Sequence, residues 1–408
     1  MGPSYRDACA YVKRSRTLAT VHPLLALALV LVAGIGVTHL SRPSLRYPRL
    51  VADVLATGVA FVLLGLLLGP VLGVPDKESI RLLEPIQALA LGWIGALFGV
   101  GLEWRFVRRI STRTWLVGAT LALPLLLTTT VIGVVLARRI PALATAWGHP
   151  TLAVALALGG ALTTAARHRG PRLGRRTALI GTVFGAIAVV GADALYQLHL
   201  APRALALTVT IGLGLGGVFV ALARTGLLHD PVEAGVAVVA VLCCGAGASY
   251  AAGLSPFVVC ALAAAVFTSF SPIPVRRAAR RLLARWEATL YAAFLILSGA
   301  LLRPLTAWVL FAAPSFTLVR VLVRWITVRF GLDRVDPLWR SLPFAPPREF
   351  AYATIRQDAT AVALAGGFDL AHGANGAVLV TVLVSVMAAE TIAACTPLTA
   401  SPRPAEVS

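Results

Sequence analysis

Thr177-Ala178-Leu179-Ile180-Gly181-Thr182-Val183-Phe184-Gly185-Ala186-Ile187-Ala188-Val189-Val190-Gly191-Ala192-Asp193-Ala194-Leu195 is a long apolar run that carries one acid near its far end. About 20 apolar residues cover the roughly 30 Å of hydrocarbon in a bilayer as a helix, so this stretch reads as a membrane span. Similar runs recur from His22 to Thr396 with only short polar gaps. The composition agrees: of 408 residues 58% are hydrophobic and 13% charged, and the mean hydropathy is +0.84. Disorder and an ordinary soluble globule are both excluded by these values.

Hydropathy in chain order predicts an all-α polytopic membrane protein of about 13 transmembrane helices. They fall near 21–40, 50–73, 82–103, 115–136, 149–166, 177–198, 203–223, 231–252, 254–270, 287–302, 305–330, 349–369 and 376–397. Two of the divisions rest on Gly253 and on Arg303-Pro304. The organisation expected is an extension at 1–20, one transmembrane domain at 21–397 and a short tail at 398–408, with no soluble domain.

The formal charge is +19, from 36 Lys+Arg against 17 Asp+Glu. In a soluble chain that balance would suggest nucleic acid. Here the arginines fill the gaps between apolar runs, so their expected partner is anionic lipid. Sorting the gaps by side puts 23 basic residues on one face and 10 on the other. The larger set includes Arg105, Arg108, Arg109 and Arg113, then Arg167 to Arg176, then Arg276 to Arg285. By the positive-inside rule it marks the cytoplasm, which leaves the amino terminus outside and the carboxyl terminus inside a cell membrane.

Charged groups within apolar runs are expensive and are functional candidates by default. Asp193 reads as a carboxylate that takes up a proton or a small cation; alternatively Tyr196, Gln197 and His199 end its helix and leave it near the interface. Arg320 and Arg324 are one turn apart and share a helix face, where they can compensate a buried carboxylate. Arg324 can also snorkel toward the cytoplasmic end. Arg356, Gln357 and Asp358 interrupt the span 349–369 and mark an unwound stretch or contacts with other helices, and Gly366-Gly367 offers a second place to break. Glu390 reads best as a structural interhelical hydrogen bond. The span 149–166 carries Gly159-Gly160 and Thr163-Thr164, residues that permit an interrupted helix whose hydroxyls serve freed backbone groups. Paired interrupted helices point to a transporter's binding site. Gly212, Gly214, Gly216 and Gly217 read as helix packing. The cysteines Cys9, Cys243, Cys244, Cys260 and Cys395 lack metal-ligand spacing. No zinc, phosphate-loop or nucleophile-elbow pattern appears, so neither an enzyme nor a cofactor is expected.

The order of segments resembles the monovalent cation:proton antiporter superfamily, nearest its potassium-efflux and bacterial sodium:proton branch. The likeness begins with Tyr47-Pro48-Arg49-Leu50-Val51-Ala52 leading to Leu66-Leu67-Leu68-Gly69-Pro70-Val71-Leu72-Gly73. It continues through Leu97-Phe98-Gly99-Val100-Gly101-Leu102-Glu103, Ala252-Gly253-Leu254-Ser255-Pro256-Phe257, the Phe-containing run Ala292 to Gly299, and Ala389-Glu390. The resemblance implies inverted repeats with two interrupted crossing helices, a dimerisation domain and hence a homodimer, and exchange of protons for sodium or potassium by movement of a core domain. It also implies an ion site on the helix of Asp193, with Arg320 or Arg324 as the charge-compensating base; Thr163 and Thr164, which stand where the family often has Thr-Asp-Pro or Ser-x-x-Pro, offer hydroxyl or backbone oxygens as neutral ligands for a hard cation. The chain has Ala192-Asp193 where the family carries Asp-Asp or Asn-Asp. Two other readings stay open: an antiporter-like module that senses or anchors without transport, and an organic-anion symporter of related architecture.

Overall fold

The computed structural model describes residues 59–67, 77–141, 143, 145, 151–164, 172–196, 201–225, 231–300, 307–331, 357, 359–372 and 377–395. The helices are α1 (Val59–Leu66), α2 (Lys77–Val100), α3 (Trp104–Val107), α4 (Thr112–Arg139), α5 (Thr151–Thr163), α6 (Arg172–Tyr196) and α7 (Ala201–Arg224). They are followed by α8 (Pro231–Ala251), α9 (Pro256–Phe270), α10 (Ile273–Ala300), α11 (Ala307–Ile326), α12 (Ala359–His372) and α13 (Ala377–Cys395). A π turn, Thr327–Gly331, follows α11. The described residues contain no strand, and five of these helices are long and apolar enough to cross a membrane. The all-α polytopic architecture read from hydropathy is therefore the observed one. Twelve of the expected spans have a described counterpart; the first, 21–40, and the division at Arg303-Pro304 lie outside the described residues.

Both faces of a membrane helix are apolar, one for its neighbours and one for lipid. In α4, Val117, Leu121 and Leu125 are buried, while Leu116, Leu123, Leu127 and Val131 are exposed on the other face. Local signals set the ends. Ser111 caps α4 by accepting from the Thr114 N–H. Gly253, at φ +63°, turns the chain after α8, and Pro256 occupies the first turn of α9.

The helices fall into two groups by packing. α4, α5, α6, α11, α12 and α13 pack chiefly on one another, as do α1, α2, α7, α8, α9 and α10. The seam between them is closed by α2 and α9 against α12 and by α6 against α7. Close approach depends on missing side chains. A Cβ at Gly95 or Gly99 would strike the carbonyls of Phe257 or Ala261, which fixes α2 on α9. Gly160 and Gly185 lie equally close and lock α5 on α6. Gly212 and Gly216 pack against Leu262 and Val266 of α9, as expected, but Gly214 and Gly217 face open space.

Three boundaries differ from the sequence reading. The basic stretch 276–285, expected as a loop, is the first half of α10. Hydropathy registers charge and not helix propensity, and Arg, Ala and Leu are all good helix formers. Arg276 of this stretch pairs with Glu103 at 2.6 Å, and Arg280 lies 3.9 Å from the same carboxylate. Next, α5 ends at Thr163, short of residue 166. Finally, Gly366-Gly367 does not break α12, because Gly366 seats against Phe294 and Gly367 against Ser255 within continuous helix.

Overpacking an interhelical contact costs about 1–3 kcal/mol. Gly95→Val and Gly99→Val are expected to lower the unfolding temperature in detergent by several degrees, whereas Gly214→Val leaves it unchanged. A thermal shift assay checks this.

Candidate functional site

The carboxyl end of α5 lies inside the bundle. Its last carbonyls have no partner within the helix, and no water is at hand to replace one. Side chains from α11 supply the donors. The Arg320 guanidinium donates to the carbonyls of Leu162, through Nη1, and Thr164, at 2.8 Å through Nη2. Nη2 of Arg324 donates to the Thr163 carbonyl at 2.8 Å. From just before α12, Nε2 of Gln357 reaches the Leu162 carbonyl at 3.3 Å. Arg320 is completely buried and Arg324 nearly so. Their charges face the negative end of a helix dipole, which favours cations. The one-turn spacing read from sequence is thus used, and the partner both arginines share is backbone.

Thr163 and Thr164 stand at this junction, with hydroxyls turned back on their own helix: Thr163 Oγ1 donates to Gly159 O at 2.7 Å and Thr164 Oγ1 to Ala161 O at 3.0 Å. α5 ends at Thr163, and Gln357, just before α12, reaches the carboxyl end of that helix.

Asp193 is elsewhere. α5 and α6 run antiparallel, with Gly160 against Gly185, Thr163 against Gly181 and Leu156 against Gly191. Twelve residues separate Gly181 from Asp193, about 18 Å of helix at 1.5 Å per residue. The structure therefore does not bring Asp193 to the two threonines or the two arginines expected to serve it. The end of one antiparallel helix faces the start of the other, and Asp193 is close to the finish of α6.

What Asp193 meets is His372, the last residue of α12. Its Oδ1 lies 2.9 Å from Nε2 of the imidazole. The His372 side chain is 2% exposed and the Asp193 side chain 20%. Tyr196 stacks on the imidazole with ring centroids 4.2 Å apart, and Phe368 packs edge-on at 4.8 Å. The pair borders a cavity of about 20 Å³, lined also by Thr208 of α7 and by Gly253, Ser255 and Val258 around the start of α9. Such a volume holds about one ordered water. The cavity lies on the seam, since α6 and α12 come from one helix group and α7 and α9 from the other.

No protein-family model matches the sequence, and no curated protein matches it in sequence. A solved structure does match: that of the sodium/proton antiporter MjNhaP1 from Methanocaldococcus jannaschii, with a TM-score of 0.59 at 14% identity. The match covers 91% of this chain and 96% of that one. The likeness is one of fold.

Other candidates are distributed as follows. Arg356 and Asp358 lie outside the described residues, as does the side chain of Glu390, whose backbone belongs to α13. Sequence reasoning missed His372, Ser255 and Asp369. Asp369 is buried in α12; its Oδ2 accepts from the Leu379 N–H at 2.8 Å, and its Oδ1 has no partner among the described residues. It caps the first turn of α13 across a short connection, and an acid ten residues before an apolar run was the available signal.

Each buried carbonyl left without a donor costs about 1–3 kcal/mol. Arg320→Leu strands the Thr164 carbonyl and leaves that of Leu162 to Gln357 alone, so it is expected to destabilise the protein by about 1–3 kcal/mol on that scale. Detergent unfolding curves and the yield of monodisperse protein measure the loss.

Proposed function

We propose that the chain is a secondary active transporter that exchanges protons for a monovalent cation, sodium or potassium, and that Asp193 is the carboxylate for which the two compete. One observation carries the reading: a carboxylate and an imidazole are enclosed together on the seam between two helix groups. Movement of one group past the other would change which side of the membrane reaches them. The likeness to an antiporter fold supports the same reading.

Within this proposal the junction at α5 has a mechanical role. Arg320 and Arg324 tie α11 to the end of α5, so α5 and α11 travel together. Thr163 and Thr164 belong to that anchor and not to the ligand shell of Asp193. The second group, α1, α2 and α7 to α10, offers the face through which two copies would associate as a homodimer, leaving the first group free to move.

Everted vesicles energised to an acid interior are expected to release protons when sodium, potassium or lithium is added, and the responsive ions identify the cargo. Asp193→Asn should abolish the response while the protein still inserts and purifies normally. Unchanged exchange in that variant removes Asp193 from the mechanism.

A further inference from the structure

The amino-terminal half of α10 carries Arg276, Arg277, Arg280, Arg281 and Arg285 and has no acid in its first turn. That end of a helix is the positive end of its dipole, so cations there are opposed by the helix as well as by one another. Glu103 answers two of them: it pairs with Arg276 at 2.6 Å and lies 3.9 Å from Arg280. Arg280 also donates to the Val100 carbonyl at 3.2 Å. Arg277, Arg281 and Arg285 are left. They recur every four residues and so form a row along one side of the helix, each about 6 Å from the next along its axis. Val275, Ala279 and Leu283 are buried in the core of the second helix group, which turns the row outward. All three arginines are exposed, and among the described residues no carboxylate lies within ion-pair reach of them.

The neighbours of the row say which anion suits it. Trp286 follows Arg285 directly and is exposed, as are Phe270 and Ile273 at the turn into α10. Trp104 is exposed too, and its backbone N–H donates to Ser269 beside that turn. Arginines interleaved with exposed indoles and aliphatic groups fit the headgroup level of a bilayer, where guanidiniums meet phosphate and the apolar groups meet the acyl boundary. A soluble polyanion would leave those apolar groups in water. The guanidinium fork also matches two phosphate oxygens at once.

We propose that Arg277, Arg281 and Arg285 form a binding site for the phosphates of anionic phospholipid, in the leaflet that the amino-terminal half of α10 meets, with Trp286 against the glycerol and upper acyl carbons. The lipid supplies the negative charge that the fold withholds from this row. The site uses no part of the Asp193 cavity and stands whether or not the chain exchanges ions.

The test reads lipid contact at Trp286. Purified protein in phosphatidylcholine vesicles is titrated with brominated phosphatidylglycerol or brominated phosphatidylcholine, and the quenching that Trp286→Phe removes belongs to that indole. The native protein should prefer the anionic lipid, and high salt should weaken the preference. One arginine at an anionic surface accounts for about a fivefold change in affinity. Arg281→Gln should therefore weaken phosphatidylglycerol binding about fivefold, and the triple variant Arg277→Gln, Arg281→Gln, Arg285→Gln about a hundredfold. In detergent the triple variant should unfold at the native temperature or above it, since the charges removed oppose one another and the dipole. Should it not fold, Arg281→Gln and Arg285→Gln singly carry the comparison. Arg138→Gln with Arg139→Gln, in the last turn of α4 where the dipole favours cations, should leave the preference unchanged. Equal quenching by the two lipids in the native protein, or a native preference in the arginine-row variants, overturns the proposal. Displacement of the brominated lipid by soluble glycerol phosphate at matched concentration also overturns it and assigns the row to a soluble anion.

Discussion

A helix that stops inside a membrane exposes carbonyl groups where neither water nor a neighbouring strand can satisfy them, and α5 stops there. The guanidiniums of Arg320 and Arg324 resolve that conflict, and much of the architecture follows from them. They hold α11 against α5 and bring two full positive charges to the negative end of a dipole, where burial costs them least. Gln357 draws the start of α12 to the same point. With these contacts in place, the carbonyls of Leu162, Thr163 and Thr164 each have a donor. The same contacts account for two arginines in a helix whose other polar side chains are Ser315 and Thr317.

Around this anchor the packing is a matter of small residues. Hydrocarbon offers no hydrophobic drive for one helix to prefer another, so contact area and close backbone approach decide who pairs with whom. Gly95 and Gly99 set α2 on α9, and Gly160 and Gly185 set α5 on α6. Among the described glycines the seam has no such close glycine-to-backbone lock; Gly367 approaches the Ser255 side chain instead. Polar chemistry collects on that seam, at Asp193, His372, Ser255 and Thr208.

The fold was legible in the sequence because spans announce themselves by length and hydropathy, and a carbonyl end such as that after Thr163 is marked by its threonines and glycines. Arg320 and Arg324 were recognisable as buried charges, since one-turn spacing on an apolar helix is visible without a structure. The site was less legible. Asp193 stood out, but its partner did not: His372 lies 179 residues away, at the tip of a helix assigned an earlier end. Pairing across that distance depends on how α6 and α12 are brought together, which no local pattern encodes. Ser255 was hidden for a related reason, since a serine before a proline reads as a cap and its missing capping bond appears only in three dimensions. The separation of Asp193 from Thr163 and Thr164 turns on the antiparallel course of α5 and α6, which places equal sequence emphasis at opposite ends.

Helix α10 has 28 residues and so reaches about 42 Å, some two turns more than a hydrocarbon layer about 30 Å thick. Its surplus is the arginine-bearing half, tied to Glu103 at the end of α2 and followed by the exposed Trp286, an indole suited to the headgroup level. The helix therefore has its depth fixed at one end by aromatic and cationic anchors and its neighbour fixed by an ion pair. Tilt of α10 together with α2 is one way to meet a thinner or thicker bilayer, and it would make lipid chain length a mechanical input to the helix group that borders the Asp193 cavity.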